Sequence, residues 1–95
     1  WSGVIEAYRF SNGIAGITGK VYAGALSGII TIATIPAGYR PYGELPILAY
    51  NSSRGKYCAG LYIYNGRITY RNQPALNEIR EGDAIHFNIM YVGGS

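Results

Sequence analysis

The chain contains 95 residues, of which 48% are hydrophobic and only 14% carry a charge. A chain of this length forms one domain, and its apolar and aromatic content is too high for an intrinsically disordered protein. The formal net charge of +3 comes from eight basic residues and five acidic ones. The basic residues form no cluster of four or more, so nothing indicates a nucleic-acid-binding surface.

Signals for secretion and for membrane insertion are missing from the sequence. The first residues have neither the basic start nor the long apolar core of a signal peptide, and no run of about 18 apolar residues is present. The chain begins with Trp1 instead of Met, which predicts a domain taken from a longer polypeptide. Cys58 lies in an apolar strand pattern, so we expect a small buried thiol without an intrachain disulfide.

The first half of the chain predicts three β-strands, at residues 4–10, 14–23 and 27–35, and no window shows helical spacing with caps. In the second strand, Gly16 and Gly19 predict a bend or the close approach of another backbone. The third strand is the most apolar, and both of its faces are predicted to be buried. Ile29, Ala33 and Ile35 lie on one face, and Ile30 and Ile32 lie on the other. Because an antiparallel sheet normally leaves one face in water, the second buried face indicates a core between two sheets together with a contact between subunits.

The second half predicts strands at residues 45–51, 57–64, 67–72 and 84–92. Asn65-Gly66 is the strongest hairpin signal in the chain, and a two-residue turn fixes the register of its strands. The predicted pairs are Tyr64 with Arg67, Ile63 with Ile68, Tyr62 with Thr69, and Leu61 with Tyr70. One face of this hairpin is therefore apolar. The other face carries Tyr62, Tyr64, Arg67, Thr69 and Arg71.

Seven predicted strands within residues 1–95 indicate a single all-β domain, an antiparallel β-barrel or sandwich. Residues 73–82 are predicted to form a loop that ends in a turn at residues 81–83. The last strand alternates, with Ile85, Phe87, Ile89 and Tyr91 inward and with His86, Asn88 and Met90 outward.

No catalytic or metal-binding machinery is predicted from the residues. His86 is the one histidine, and no nucleophile elbow accompanies it. The five carboxylates lie mostly at turns, where a solvated group is more usual than one of the facing pair needed for glycoside hydrolysis. One His and one Cys offer no recognisable metal-ligand spacing, and the glycines form no phosphate-binding loop. We therefore expect no enzyme activity, no metal and no cofactor.

The ten tyrosines are the informative excess in the composition. A tyrosine offers a flat apolar ring and a polar tip, which suits sugar recognition. The outer hairpin face has that composition, with Tyr62, Tyr64 and Arg71 as first candidates for a saccharide-binding site. Arg54 and His86 are candidates to complete the site from a neighbouring protomer. The alternative interpretation is that these Tyr and Arg side chains only stabilise an exposed sheet by cross-strand pairing.

Three stretches together resemble the receptor-binding head domains of bacteriophage tail fibres and baseplates. IATIPAGYRP, residues 32–41, is similar to the strand and LPxGYRP segment of those heads, with Ile35 where Leu is usual. YIYNGRITY, residues 62–70, resembles their Asn-Gly hairpin. AIHFNIMYV, residues 84–92, resembles their terminal strand, and the opening from Trp1 to Gly19 also fits. The resemblance covers nearly the whole chain.

The resemblance implies a trimeric antiparallel β-barrel at the tip of a virion tail, forming the C-terminal part of a longer fibre or baseplate protein. It implies attachment to saccharides or polymer phosphates of the bacterial cell surface, and it makes Tyr39 and Arg40 part of the scaffold. Likeness of fold does not by itself transfer a ligand. Two alternatives therefore stay open: a structural knob that trimerises and ends the fibre without recognising a receptor, and, less favoured, a role in cell-wall degradation.

Overall fold

The computed structural model describes residues 1–73 and 77–94, and its seven strands form one antiparallel sheet. The order across the sheet is β1-β2-β7-β4-β5-β6-β3. The strands are β1 (Ser2–Arg9), β2 (Ile14–Tyr22), β3 (Ile29–Thr34), β4 (Leu45–Asn51), β5 (Lys56–Tyr64), β6 (Arg67–Arg71) and β7 (Ala84–Val92). Each lies within two residues of its predicted bounds at either end. The sheet curls into a half-barrel, so the all-β, antiparallel, seven-stranded prediction is confirmed and the two-sheet sandwich is not formed.

The core lies on the concave side of this curled sheet. Alternation along β2, β5, β6 and β7 turns every second side chain inward, which buries Ile17, Ile63, Ile68 and Ile85 completely. Burying one such side chain stabilises the fold by about 1.5–3 kcal/mol. The last strand has the predicted inward and outward faces.

The two glycines of β2 are closely approached by β7, their neighbour in the sheet. A Cβ atom at Gly16 would lie 2.5 Å from the Ile89 carbonyl oxygen, which is the predicted approach of another backbone. At Gly19 the neighbour is a side chain instead, because a Cβ atom there would lie 2.7 Å from the Phe87 ring. Gly16 therefore needs a residue without a side chain, whereas a side chain at position 19 would require the Phe87 ring to shift.

Two edges, β1 and β3, leave the half-barrel open along one side. Residues from both edges line a gap of about 260 Å³, among them Ile5 on one side and Ile32 on the other. Trp1 closes one end of this opening. Its indole N–H donates to the Ala25 carbonyl oxygen at 2.9 Å, and its ring lies 5.3 Å from the Tyr70 ring.

The third strand departs from its prediction. It was expected to be buried on both faces, but it lies at the edge of the sheet with β6 as its strand neighbour, and Ile29 is 75% exposed. Ile30, Ile32 and Ala33 are half-buried against the core, and Ile35 just beyond the strand is buried. Within residues 29–34 of a single chain, Ile29 is therefore the apolar side chain left exposed. The predicted face of Ile29, Ala33 and Ile35 is interrupted, because the register of β3 shifts between Thr31 and Ala33.

The β5–β6 hairpin has the predicted register at all four pairs. Asn65 and Gly66 both take positive φ, at 51° and 73°, as the tight hairpin turn requires. Leu61, Ile63, Ile68 and Tyr70 are buried on the inner face. Thr69 is an exception on the outer face, because it is only 5% exposed. It lies between β5 and β3, paired with Tyr62 and with Thr31.

Replacing Gly66 by valine should lower the free energy of unfolding by on the order of 1–2 kcal/mol, because a β-branched residue strains the left-handed conformation. A Cβ atom at this position would also lie 2.6 Å from Arg40 Nε. Urea denaturation measures the loss. Asn65→Gly is the matched control. Glycine adopts the positive φ of this position readily, so the urea midpoint of unfolding should change little. Unchanged stability of Gly66→Val would contradict the assigned turn.

Cys58 is a buried thiol, as predicted. Desolvation, with a smaller contribution from the negative charge of Asp83, raises its pKa to about 11. The thiolate is the reactive form of cysteine, so this side chain is chemically quiet near neutral pH.

The predicted loop at residues 73–82 lies partly outside the described residues, which omit 74–76. In the described part, the Asn77 backbone N–H donates to the Gln73 carbonyl oxygen at 3.0 Å. The predicted closing turn is present, with the Asp83 N–H donating to the Arg80 carbonyl oxygen at 3.1 Å.

Candidate functional site

The connection from β3 to β4 lies against the β5–β6 turn at one end of the sheet. One hydrogen bond joins them, from the Ile35 N–H to the Gly66 carbonyl oxygen at 2.8 Å. Within the connection, Arg40 Nε donates to the Ile35 carbonyl oxygen at 2.7 Å. Pro36 and Pro41 cannot donate to a strand ladder, so the chain leaves the sheet here. The Arg40 side chain then fixes the path of the loop next to the hairpin.

A cleft of about 560 Å³ opens between this loop and the hairpin turn. Two tyrosines present their rings at it, Tyr42 from the loop and Tyr64 from β5, and they are 74% and 52% exposed. The lining residues are Arg40, Pro41, Tyr42, Gly43, Glu44, Tyr64, Asn65 and Gly66.

Arg71 links the cleft to the outer face of the hairpin. Its guanidinium carbon lies 4.5 Å from the centre of the Tyr62 ring and 5.3 Å from that of Tyr64. Arg71 Nη1 also donates to Glu44 Oε1 at 2.6 Å. The Tyr62 hydroxyl donates to Gln73 Oε1 at 3.2 Å. The first three predicted site residues are therefore brought together, and Glu44 holds the guanidinium at the cleft.

This arrangement combines flat apolar surfaces with paired donors and acceptors. Cation–π contact and a short ion pair hold the guanidinium, so it is ordered while still partly exposed. A guanidinium beside a carboxylate offers several donors next to two acceptor oxygens. Such a surface can stack on the apolar face of a sugar ring and hydrogen-bond to its hydroxyl groups.

Arg54 and His86, the other two predicted site residues, lie elsewhere on the single chain. Arg54 Nε donates to Asp83 Oδ2 at 3.0 Å, at the opposite end of β5. His86 is on the outer face of β7 and lines a shallow depression with Lys20 from β2 and Glu6 from β1. Their proposed contribution from a neighbouring protomer stays a prediction.

His86 has a partner that the sequence did not indicate. Its Nε2 lies 2.9 Å from Ser52 Oγ, because the β4–β5 turn starts beside the first residues of β7. Ser52 Oγ also donates to the Ala84 carbonyl oxygen at 3.3 Å. In residues 1–73 and 77–94, no carboxylate is hydrogen-bonded to the imidazole.

Sequence reasoning missed Tyr42 and Glu44 as parts of the site. Their signal was weak, because both lie in a Pro- and Gly-containing connection that reads as a turn. In a loop, no strand or helix periodicity predicts the direction in which a tyrosine side chain points. Only the docking of the loop on the hairpin, where the Ile35 N–H donates to the Gly66 carbonyl oxygen, brings these side chains next to Tyr64 and Arg71.

Comparison with known proteins gives no relative for this chain: no family model, no curated protein and no solved structure matches it. Among the described residues, no helix has the length and apolar character needed to cross a membrane.

Proposed function

We propose that this domain is the trimeric receptor-binding head of a bacteriophage tail fibre or baseplate protein, located at the tail tip, where it attaches the virion to a saccharide of the bacterial surface. The observation that carries the proposal is the cluster in which Arg71 lies over Tyr62 and Tyr64 and bonds to Glu44 beside an open cleft. We name Tyr62, Tyr64 and Arg71 as the saccharide-binding residues and add Tyr42 and Glu44 from the cleft.

Sugar binding by such a surface is weak for each protomer, because hydrated hydroxyl groups must exchange water for protein partners. Several heads on one virion raise the effective concentration of the remaining sites once the first has bound. A trimer therefore fits the proposed attachment role, and it also offers cover for the exposed face of β3.

The domain should have the mass of a trimer in solution, because β3 leaves an apolar edge that one chain does not cover, with Ile29 75% exposed. Exposed edge strands rich in β-branched residues associate readily. Multi-angle light scattering at micromolar concentration measures the mass, and three times 10.3 kDa is expected. A monomer at that concentration would remove this support.

Replacing Tyr62 and Tyr64 together by alanine should abolish adsorption to host cells and weaken glycan binding by about tenfold or more, since truncating one central aromatic residue commonly costs about 1 kcal/mol or more. Tyr50→Ala with Tyr57→Ala is a matched control, because these two rings also pack together, 5.3 Å apart, on β4 and β5 away from the cleft. Glycan-array binding and cell adsorption are the measurements, with circular dichroism to establish folding.

The second candidate function is a structural knob that ends the fibre without recognising a receptor. It is favoured if the hairpin tyrosines only stabilise the sheet. A folded trimer that binds no glycan and no host cell would support the knob and overturn the adhesin. A folded double mutant that adsorbs normally would instead move the binding site away from the hairpin.

A further inference from the structure

The two edges of the half-barrel face each other without pairing. Along most of their length, the Cα atoms of β1 and β3 lie more than 8 Å apart, whereas the Cα atoms of directly paired residues are about 4.5–5.5 Å apart. Side chains of both edges nevertheless line the same gap, Ile5 on one side and Ile32 and Ala33 on the other. The opening is therefore too wide for direct pairing, but narrow enough for both edges to share one gap.

The directions of the strands decide what can close this opening. All six neighbouring pairs in the order β1-β2-β7-β4-β5-β6-β3 are antiparallel, so β1 and β3 run in the same direction. Direct pairing of these edges would form a parallel ladder, which is slightly less stable than an antiparallel one. One added strand, antiparallel to both edges, would instead complete an antiparallel barrel of eight strands, a size at which side chains fill the interior.

The side chains around the gap favour an extended polypeptide segment as its occupant. Ile5, Ile32 and Ala33 are only half-buried against the core, so apolar side chains of an added strand would complete their cover. Residues 29–34 include no charged residue and no proline, two of the devices by which natural edge strands avoid pairing. Glu6 is the one acidic residue of either edge and is exposed on the outer face, where it would attract a basic side chain on the added strand.

A folded second copy does not provide such a strand. An inserted strand needs both of its edges free, but every strand of the described chain already pairs with at least one neighbour. Two copies can therefore join only edge to edge, which widens the sheet without filling the gap. In the trimer proposed above, a neighbouring protomer would cover Ile29 on the outer side of β3, and the gap would stay open to another chain.

We propose that the gap between β1 and β3 is a docking site for an extended segment of another protein, which adds an eighth strand antiparallel to both edges. The segment has small apolar side chains at every second position, facing the core, and a basic side chain on its outer face. In this binding mode main-chain hydrogen bonds supply affinity, and pockets for alternate side chains supply specificity. The gap and the cleft share no lining residue, so this inference goes beyond glycan binding and does not rest on it.

Trp1 supplies the signal for the test, because it is the single tryptophan of the chain and it lines the gap. The probe is a synthetic peptide of roughly nine residues, the length of a long strand, in which valine alternates with threonine between terminal lysines. We expect it to change the Trp1 fluorescence with saturation at up to millimolar concentration. A peptide with its valines and threonines in separate blocks, and one with a central proline, should each bind about tenfold more weakly, because they lose the alternation or a ladder donor.

Two variants of β3 locate the bound peptide. Ala33→Leu fills part of the gap and should weaken peptide binding about tenfold, because the added strand would be overpacked. Thr31→Leu is the matched control, since it places the same side chain on the exposed face of the strand and should not weaken binding. Circular dichroism establishes folding, and Ala33→Val replaces Ala33→Leu if the larger side chain prevents it.

The outcomes that overturn the proposal are distinct. Trp1 emission that stays unchanged at millimolar peptide overturns the added strand. Equal binding of the alternating and block peptides overturns it too, because the contact would then be apolar without a strand ladder. Dissociation of the trimer by the peptide, seen by light scattering, would assign these edges to a second copy and overturn a separate occupant. Glycan and host-cell binding, measured on the same protein, decide the adhesin independently of these results.

Discussion

Replacing Asp83 by alanine should lower the free energy of unfolding by about 2–4 kcal/mol, because three donors around a largely covered carboxylate lose their acceptor. One carboxylate oxygen of Asp83 accepts three hydrogen bonds. The donors are Asn51 Nδ2 at 2.7 Å, the Arg80 backbone N–H at 2.9 Å and Arg54 Nε at 3.0 Å. Through this one oxygen atom, the three bonds connect the end of β4, the β4–β5 turn and the turn before β7.

Alanine at this position would leave those donors without their acceptor. Asn51 is fully buried and Arg54 is largely covered, and a buried donor that loses its partner costs about 1–3 kcal/mol, more when it is charged. Asp83→Asn keeps an oxygen acceptor but removes the charge, so its loss should be smaller.

Urea denaturation followed by circular dichroism measures these changes. Lys56→Ala is the control, because it removes an ion pair with Glu78 that is 3.7 Å long and about half exposed. Such pairs contribute about 0–1 kcal/mol. If Asp83→Ala were no more destabilising than Lys56→Ala, the network would not hold this end of the sheet together.

Replacing Gly60 by alanine should destabilise the domain by about 3 kcal/mol or more, for two separate reasons. Gly60 lies in β5 with φ at 111°, a conformation that costs other residues about 1–3 kcal/mol. A Cβ atom there would also lie 2.6 Å from Asn77 Nδ2. Asn77 is 3% exposed, and its Oδ1 accepts from the Tyr70 hydroxyl and from the Gln73 N–H, both at 2.8 Å. It cannot move without losing those bonds, so overpacking adds about 1–3 kcal/mol.

Two variants separate these reasons. Gly13→Ala also places alanine at positive φ, 85°, but nothing lies within 4 Å of its Cβ atom, so it should show the backbone cost alone. Gly60→Ala combined with Asn77→Ala should lose less than the sum of the two single changes, because the second substitution removes the clash. Additive losses in this cycle, measured by urea denaturation, would show that Asn77 does not resist the added methyl group.

The sequence by itself determined the elements of this fold. All seven strands could be located, because turn residues separate runs that alternate with a period of two, and that alternation decides which side chains face the core. Asn65-Gly66 also determined the register of the hairpin, because a two-residue turn permits one pairing. For that reason the strand pattern alone places Tyr62, Tyr64 and Arg71 together on one outer face.

Only the tertiary structure decided how the strands are ordered and what meets between them. The apolar pattern of residues 27–35 suggested two buried faces, but pairing with β6 alone put β3 at an edge and exposed Ile29. The spacing of apolar residues along a strand indicates which side chains are buried, but it does not indicate which neighbouring element covers them. The cleft also depends on tertiary structure. Tyr42 and Glu44 reach Tyr64 and Arg71 because their loop lies against a hairpin that is distant in sequence, with Ile35 hydrogen-bonded to Gly66. Contacts between separate loops depend on the curl of the whole sheet, and no periodicity in the sequence encodes them.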